Sequence, residues 1–154
     1  MADAHLSFSL QQQVPALIAS IYEASLEPQR WTGFLEKFGA ALRSPGSQIW
    51  ANDFAQRTVD LDVGFGSFGA TQGFATAEMN SFAAHYCQCN VWLEDPSLYN
   101  PGTVVNSSTL FDDKKLPSTE WYGDWLRPQG LFYSCAAVVD VQHDRSFNVT
   151  VLRA

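Results

Sequence analysis

The segment LFYSCAAVVDVQHDRSFNVTVLR, residues 131–153, determines the class of fold. Apolar and β-branched residues predominate in residues 131–141 and again in residues 147–153, as they do in strands. The residues between them, 142–146, are polar and typical of a turn. Two strands that a short turn connects pair in antiparallel fashion. We therefore expect an antiparallel hairpin at the end of the chain, connected by residues 142–146.

A second pair of strands is expected earlier in the chain. Residues 58–65 alternate between polar and apolar side chains, which is the period of a half-buried strand. The apolar positions of this alternation are Val59, Leu61, Val63 and Phe65. Residues 48–52 are the expected partner strand, across a turn at residues 53–56.

Helical spacing of apolar residues predicts four helices around these strands. They are expected near residues 14–22, 31–42, 79–90 and 120–126. Pro28 precedes the second helix and Pro128 follows the fourth, while residues 92–117 form a long irregular segment. Strand pairs between helices predict an α+β fold, an antiparallel sheet of about five strands sandwiched by helices, within a single domain of residues 1–154.

Composition and charge exclude several classes of protein. Hydrophobic residues make up 46% of the 154 residues and charged residues 16%, a balance that excludes intrinsic disorder. The net charge of −7 repels phosphate, so we do not expect this chain itself to bind nucleic acid. No apolar stretch reaches the about 20 residues of a membrane span, and no signal peptide is visible. We expect a cytoplasmic protein without membrane contact, and three cysteines fit a reducing compartment.

The histidines and cysteines could form a metal site or the catalytic pair of an enzyme, and the sequence favours neither. His85, Cys87 and Cys89 have the wrong spacing for a zinc site, because Cys87 points away from the other two on a helix. A Cys–His pair using Cys87 or Cys135 with His85 or His143 would make a small cysteine-dependent enzyme. No nucleophile elbow or phosphate-binding loop accompanies these residues. We therefore expect no catalytic residue, no metal and no cofactor.

Aromatic residues with polar tips are unusually frequent. They are Trp50, Tyr86, Trp92, Tyr99, Trp121, Tyr122, Trp125 and Tyr133. Any one of these residues can simply belong to the hydrophobic core. Together they are also typical of a pocket for a small apolar ligand, because Tyr and Trp combine apolar area with one directed hydrogen bond.

Four segments resemble the N-terminal sensor domains of LuxR-type helix-turn-helix transcriptional regulators. They are YEASLEPQRW at residues 22–31, Asp95-Pro96, PGTV at residues 101–104 and WYGDWLRPQGL at residues 121–131. The resemblance extends from about Leu17 to Arg153. It implies a PAS/GAF-like sandwich similar to autoinducer-binding domains, followed by a DNA-binding helix-turn-helix. We therefore expect that residues 1–154 are a fragment, from which the C-terminal DNA-binding domain is absent.

A narrower resemblance, to acyl-homoserine-lactone receptors, implies roles for particular residues. The receptors have a Trp, a Tyr four residues later and an Asp-Pro nine residues further; Phe82, Tyr86 and Asp95 keep that spacing. The resemblance implies that Tyr86 is a pocket wall, that Asp95 accepts a ligand N–H, and that Thr150 faces the ligand. Phe82 has no indole N–H, so the lactone itself is not expected. Asp95 is equally a turn starter, Tyr86 a core residue and Thr150 a strand former.

These observations predict a ligand-sensing regulatory domain that binds an unknown small molecule between sheet and helices. The expected ligand-binding residues are Trp50, Phe82, Tyr86, Trp92, Asp95, Tyr133 and Thr150. We expect a homodimer that contacts DNA only through the missing C-terminal domain. The alternatives are a ligand-free PAS/GAF-like interaction or dimerisation module, which predicts a filled interior and an exposed apolar patch, and the cysteine-dependent enzyme.

Overall fold

Six strands form one antiparallel sheet in the structure, a computed structural model that describes residues 2–61 and 69–154. The strands are β1 (Gly46–Asp53), β2 (Thr58–Asp60), β3 (Gly69–Gln72), β4 (Val104–Asn106), β5 (Tyr133–Gln142) and β6 (Arg145–Arg153). Their order is β2-β1-β6-β5-β4, and β3 pairs with the same edge of β1 as β2 does.

Helices before and between the strands cover this sheet. They are α1 (Ala2–Leu26), α2 (Trp31–Ala41), α3 (Thr76–Ser81, continued by a π-helical turn Phe82–Tyr86 and an α-helical turn Cys87–Cys89), α4 (Ser107–Leu110) and the π-helical α5 (Trp121–Leu126). Short 3₁₀ turns lie at Pro28–Arg30, Val91–Leu93, Pro96–Leu98, Leu116–Ser118 and Arg127–Gln129. The predicted α+β class and the four predicted helices are confirmed.

Side chains alternate between the two faces of β1, and each face has its own set of helices. Ile49 packs with Phe34 and Leu35 of α2, and Leu17 of α1 lies against the same cluster. The opposite face of the sheet lies under α3 and α5, whose apolar residues form a larger cluster that includes Leu152 of β6. Helices on both faces, as the sequence predicts, therefore enclose the sheet.

The strand predictions are confirmed in part. β2 pairs with the end of β1 as expected, but it spans only Thr58–Asp60, and Val63 and Phe65 lie outside the described residues. β3 and β4 were not expected, because they lie in a glycine-rich and an irregular segment whose short sequences show no period.

The prediction that residues 142–146 connect the last two strands is wrong. Gln142 pairs with Arg145, so β5 and β6 continue to a two-residue turn at His143 and Asp144. His143 has a φ of 56°, the left-handed conformation that such tight turns require. Cross-strand pairing therefore extends into residues whose polarity alone is typical of a loop.

In the part of the chain that the structure describes, no helix combines the length and the apolarity that crossing a bilayer requires.

Gly73 holds the end of β3 against the start of β1. Its φ is 84°, and a Cβ at this position would lie 1.9 Å from the backbone oxygen of Pro45. Gly102 also has a positive φ, 77°, but a Cβ there would meet no atom within 4 Å. An alanine at Gly102 would therefore meet only the cost of the left-handed conformation, whereas an alanine at Gly73 would also clash with the backbone.

We expect Gly102→Ala to cost about 1 kcal/mol of unfolding free energy, because only the left-handed conformation is penalised. Gly73→Ala should cost well beyond about 3 kcal/mol, because β3 must also move away from residues 45–46. Urea denaturation of both variants measures the two losses. Equal losses would contradict the close approach of Gly73 to Pro45.

Candidate functional site

Five buried polar residues lie side by side on the face of β1 and β6 that α3 and α5 cover. Gln48 pairs with Thr150, and Asn52 pairs with Ser146, so that each pair projects from the same face. We call this set the polar floor; each member is at most 5% exposed, and the members are Gln48, Asn52, Ser146, Asn148 and Thr150. A polar surface at the centre of a sheet is unusual, since burying an unpaired polar group is unfavourable.

Four aromatic side chains lie over the end of the polar floor that Gln48 and Thr150 form. We call them the aromatic roof: Phe82 of α3, Trp92 of the 3₁₀ turn Val91–Leu93, and Trp121 and Trp125 of α5. The rings of Trp121 and Trp125 are stacked, with centroids 4.7 Å apart and planes 8° apart. Phe82 lies 5.1 Å from Trp125, and Trp92 meets Trp121 edge-on at 5.6 Å. These contacts make α3, α5 and the turn a single packed layer.

A small cavity of about 20 Å³ remains between roof and floor. We call it the inner cavity; it is lined by Gln48, Trp50, Phe82, Asn90, Trp92, Trp121, Trp125, Ser134, Thr150 and Leu152. One water molecule needs about 10–15 Å³, so this volume holds a single water and no larger molecule. Roof and floor are therefore nearly closed on each other in this conformation.

Two buried polar atoms of residues that line the inner cavity have no hydrogen-bond partner among the described residues. They are the side-chain oxygen Oε1 of Gln48, an acceptor, and the indole Nε1–H of Trp121, a donor. Leaving such a group unpaired costs about 1–3 kcal/mol. The neighbouring indoles are satisfied: Trp50 Nε1 donates to Thr150 Oγ1 at 2.8 Å, and Trp125 Nε1 donates to the Glu78 carbonyl at 3.1 Å.

A second cavity of about 170 Å³ opens to solvent farther along the same floor. We call it the outer cavity; it is lined by Asn52, Asp53, Phe54, Arg57, Cys87, Leu93, Glu94 and Pro96. Nδ2 of Asn52, a residue that is 2% exposed, also has no partner among the described residues. Asn52 follows Gln48 by four residues, about 13 Å along β1. The polar floor therefore extends from one cavity to the other.

The structure brings four of the predicted ligand-binding residues together. Trp50, Phe82, Trp92 and Thr150 all line the inner cavity, although they come from four separate elements. Their contact with a ligand stays a prediction.

The other three predicted residues do not line the inner cavity. Tyr86 is half-buried at the edge of the roof, where its ring meets His85 at 5.0 Å. Asp95 is exposed, and its Oδ1 accepts hydrogen bonds from the backbone N and Oγ of Ser97, as a turn-starting Asp does. Tyr133 is 46% exposed and lies on the opposite face of β5 from the cavity-lining Ser134.

Sequence reasoning did not select three residues that are central to the site. The sequence places Gln48 in a strand, where a polar residue is usually on a solvated face. Its burial follows from the helices that cover that face. Trp121 and Trp125 belong to the aromatic residues with polar tips, and their spacing of four residues on a predicted helix indicates one shared face.

The geometry of the thiols does not favour a cysteine-dependent enzyme. Burial raises the pKa of the Cys87 thiol, which lies 3.5 Å from the Ala83 carbonyl. Cys89 lies 3.6 Å from His85 Nε2, but burial and then the charge of Glu120 raise the pKa of its thiol. Nucleophilic cysteines need a lowered pKa. Cys135 and His143 are about 25 Å apart along the hairpin and cannot form a pair.

Comparisons with known proteins identify a shared fold. No family model matches the sequence, and no curated protein matches it. Among solved structures, the chain is similar to the crystal structure of the VqsR LBD domain from Pseudomonas aeruginosa, with a TM-score of 0.67. The similarity covers 90% of this chain and 78% of that chain, at 9% sequence identity. The chain therefore shares the fold of that domain, and this supports the resemblance to LuxR-type sensor domains at the level of the fold alone.

Two substitutions on α5 test whether the indole N–H of Trp121 lacks a hydrogen-bond partner. Trp125→Phe removes a hydrogen bond, whereas Trp121→Phe removes a buried donor that has no partner, and both lose the same volume. We expect Trp125→Phe to lower the free energy of unfolding by about 1–3 kcal/mol more than Trp121→Phe does. Urea denaturation measures the difference. An equal or larger loss for Trp121→Phe would mean that its indole is already paired in solution.

Proposed function

We propose that this chain is the cytoplasmic ligand-sensing domain of a LuxR-type transcriptional regulator, with no catalytic activity, and that it binds a small molecule between the polar floor and the aromatic roof. The observation that best supports this proposal is the pair of unpartnered buried atoms at the inner cavity, Gln48 Oε1 and Trp121 Nε1. A core that only stabilised the fold would gain from apolar residues at these two positions.

The lining of the inner cavity suggests the chemistry of the ligand. The ring faces of the roof fit a flat or apolar body, because aromatic rings stack favourably on such groups. Trp121 can donate one hydrogen bond and Gln48 can accept one, so the ligand needs both an acceptor and a donor. Every side chain that lines the inner cavity is uncharged. We infer a neutral ligand, such as an amide or a hydroxy-ketone with an apolar portion.

The roof must move for such a molecule to enter. Pockets for small organic ligands usually enclose about 300–1,000 Å³, well above the volume of the inner cavity. Phe82 begins the π-helical turn of α3, and Trp121 begins π-helical α5. Each hydrogen bond of such a turn spans one more residue than in an α-helix, and these turns occur often at functional sites. We propose that they rearrange to open the roof and that the ligand enters through the outer cavity.

Signalling follows if the ligand binds the open roof more tightly than the closed one. A ligand can shift a conformational equilibrium only by its difference in affinity between two states. In this proposal the open roof alters the position of a C-terminal DNA-binding domain. The support is the sequence resemblance together with the shared fold of the VqsR ligand-binding domain, since VqsR is a LuxR-type regulator.

One observation favours a second candidate function, a ligand-free homodimerisation module. The interior is nearly filled, and α1 has a stripe of exposed apolar side chains: Val14, Ile18, Ile21, Tyr22 and Leu26. Their spacing of three and four residues is that of helices that pack against a like helix. The only charged residue in residues 10–26 is Glu23, so little repulsion opposes two copies of this stripe.

Ligand binding is tested by thermal unfolding against a panel of neutral small molecules, together with native mass spectrometry of the purified protein. We expect a saturable rise in melting temperature, or a co-purified mass, for the unmodified chain. Gln48→Met keeps the volume but removes the acceptor, and should weaken binding about tenfold, the equivalent of one buried hydrogen bond.

Tyr133→Phe is the matched control, because Tyr133 lies on the opposite face of the sheet, and it should bind as the unmodified chain does. A panel without any shift, together with a clean apo mass, would contradict ligand sensing and favour the dimerisation module.

The dimerisation module predicts a different outcome at α1. Ile18→Glu places a charge in the middle of the exposed stripe and should shift sedimentation from dimer to monomer. Gln12→Glu, an exposed change on α1 outside the stripe, should leave the dimer intact. Analytical ultracentrifugation measures both variants. A monomeric unmodified chain at all concentrations would exclude the stripe as a dimer interface.

A further inference from the structure

Three side chains with metal-binding atoms meet on the outer surface of α3 and α5. They are His85, Cys89 and Glu120, and their ligand atoms all lie within 4.8 Å of one another. His85 Nε2 is 2.6 Å from Glu120 Oε1 and 3.6 Å from Cys89 Sγ. We call this group the surface cluster. No step of the proposed ligand binding uses it.

The fold, and not the local sequence, assembles the surface cluster. His85 and Cys89 are four residues apart and lie on one face of α3, whereas Cys87 is buried. Glu120 directly precedes α5 and comes from 31 residues farther along the chain than Cys89. The packing of Phe82 on Trp121, with ring centroids 5.6 Å apart, holds α3 against α5. The sequence predicted no metal because the third ligand is remote in sequence.

We propose that the surface cluster binds one divalent transition-metal cation of the zinc type, through His85 Nε2, Cys89 Sγ and a carboxylate oxygen of Glu120. Imidazole and thiolate donors favour zinc-like cations over magnesium or calcium, which prefer oxygen. Three protein ligands leave the fourth tetrahedral position for a water molecule.

The distances fit a tetrahedral site after a small adjustment. Metal–ligand bonds of about 2.0–2.3 Å place tetrahedral ligand atoms about 3.3–3.8 Å apart. The separation of His85 Nε2 and Cys89 Sγ, 3.6 Å, already lies in this range. His85 and Glu120 must separate by less than about 1 Å from their hydrogen bond to reach the lower limit. Their side chains are 57% and 51% exposed, so they are free to make this movement.

Binding exchanges a proton for the metal. The Cys89 S–H bond breaks, its proton passes to solvent, and the thiolate forms the sulfur–metal bond. The carboxylate of Glu120 attracts the cation, while the charges of Arg57 and Asp124, which also act on Cys89, oppose each other. The bound cation would connect α3 to α5 directly, and so stabilise the contact between the helices of the aromatic roof. This inference does not depend on the proposed small-molecule ligand.

Cobalt is the probe for the site, because cobalt bound to a thiolate absorbs in the near ultraviolet through sulfur-to-metal charge transfer. We expect one equivalent of Co²⁺ to produce this band in the tag-free, chelator-treated protein, and one equivalent of Zn²⁺ to remove it. Zn²⁺ should also raise the melting temperature. Cys89→Ser should abolish the band, and His85→Gln and Glu120→Gln should each weaken binding at least about tenfold.

Cys135→Ser and His143→Asn are the matched controls, because these residues lie on the hairpin, outside the surface cluster, and should retain the band. The three cluster variants replace half-exposed or exposed side chains, and circular dichroism verifies that each one folds. No thiolate band in the unmodified protein would overturn the proposal. A band that survives in Cys89→Ser, or is lost equally in Cys135→Ser, would also overturn it.

Discussion

The pairing of β1 with β6 is the constraint on which the rest of the structure depends. Its register runs without interruption from Gly46 opposite Leu152 to Asp53 opposite Arg145. Because side chains alternate along a strand, a slip of one residue would turn Ile49 and Val149 toward α3 and α5, and turn the polar floor toward α2. The same pairing joins the first strand of the chain to its last strand, so the polar floor cannot form before residues about 100 positions apart have met.

The stacked rings of the aromatic roof stabilise the closed form, whereas unpaired polar atoms in the roof and the floor destabilise it. The stacked rings of the roof bury a large apolar area, which strongly favours the closed form. The unpaired polar atoms of Gln48, Asn52 and Trp121 oppose it, because each has lost its hydrogen bonds to water. A molecule that forms hydrogen bonds with those atoms would remove this cost, and so would favour opening of the closed form. The surface cluster lies on the outer side of the same two helices, where a cation would act on the same contact between α3 and α5.

Local patterns predicted the parts of the site that lie within single elements. The period of α3 placed Phe82 on its apolar face, and the alternation of β6 allowed Thr150 to face the helices. Asp95 was expected either to contact a ligand or to start a turn, and the structure has it bonded to Ser97. The local sequence does not single out Gln48, because its burial depends on α3 and α5, which begin 28 and 73 residues later in the chain.

The sequence by itself determined the α+β class, the helices with apolar periods and the final hairpin, because these depend on spacing within about 20 residues. Only the tertiary structure decided the inner cavity, the placement of β3 and β4, and the meeting of Glu120 with His85 and Cys89. The physical reason is the same in each case. These features depend on which distant segments share a face, and that follows from sheet register and helix packing, which no local period encodes.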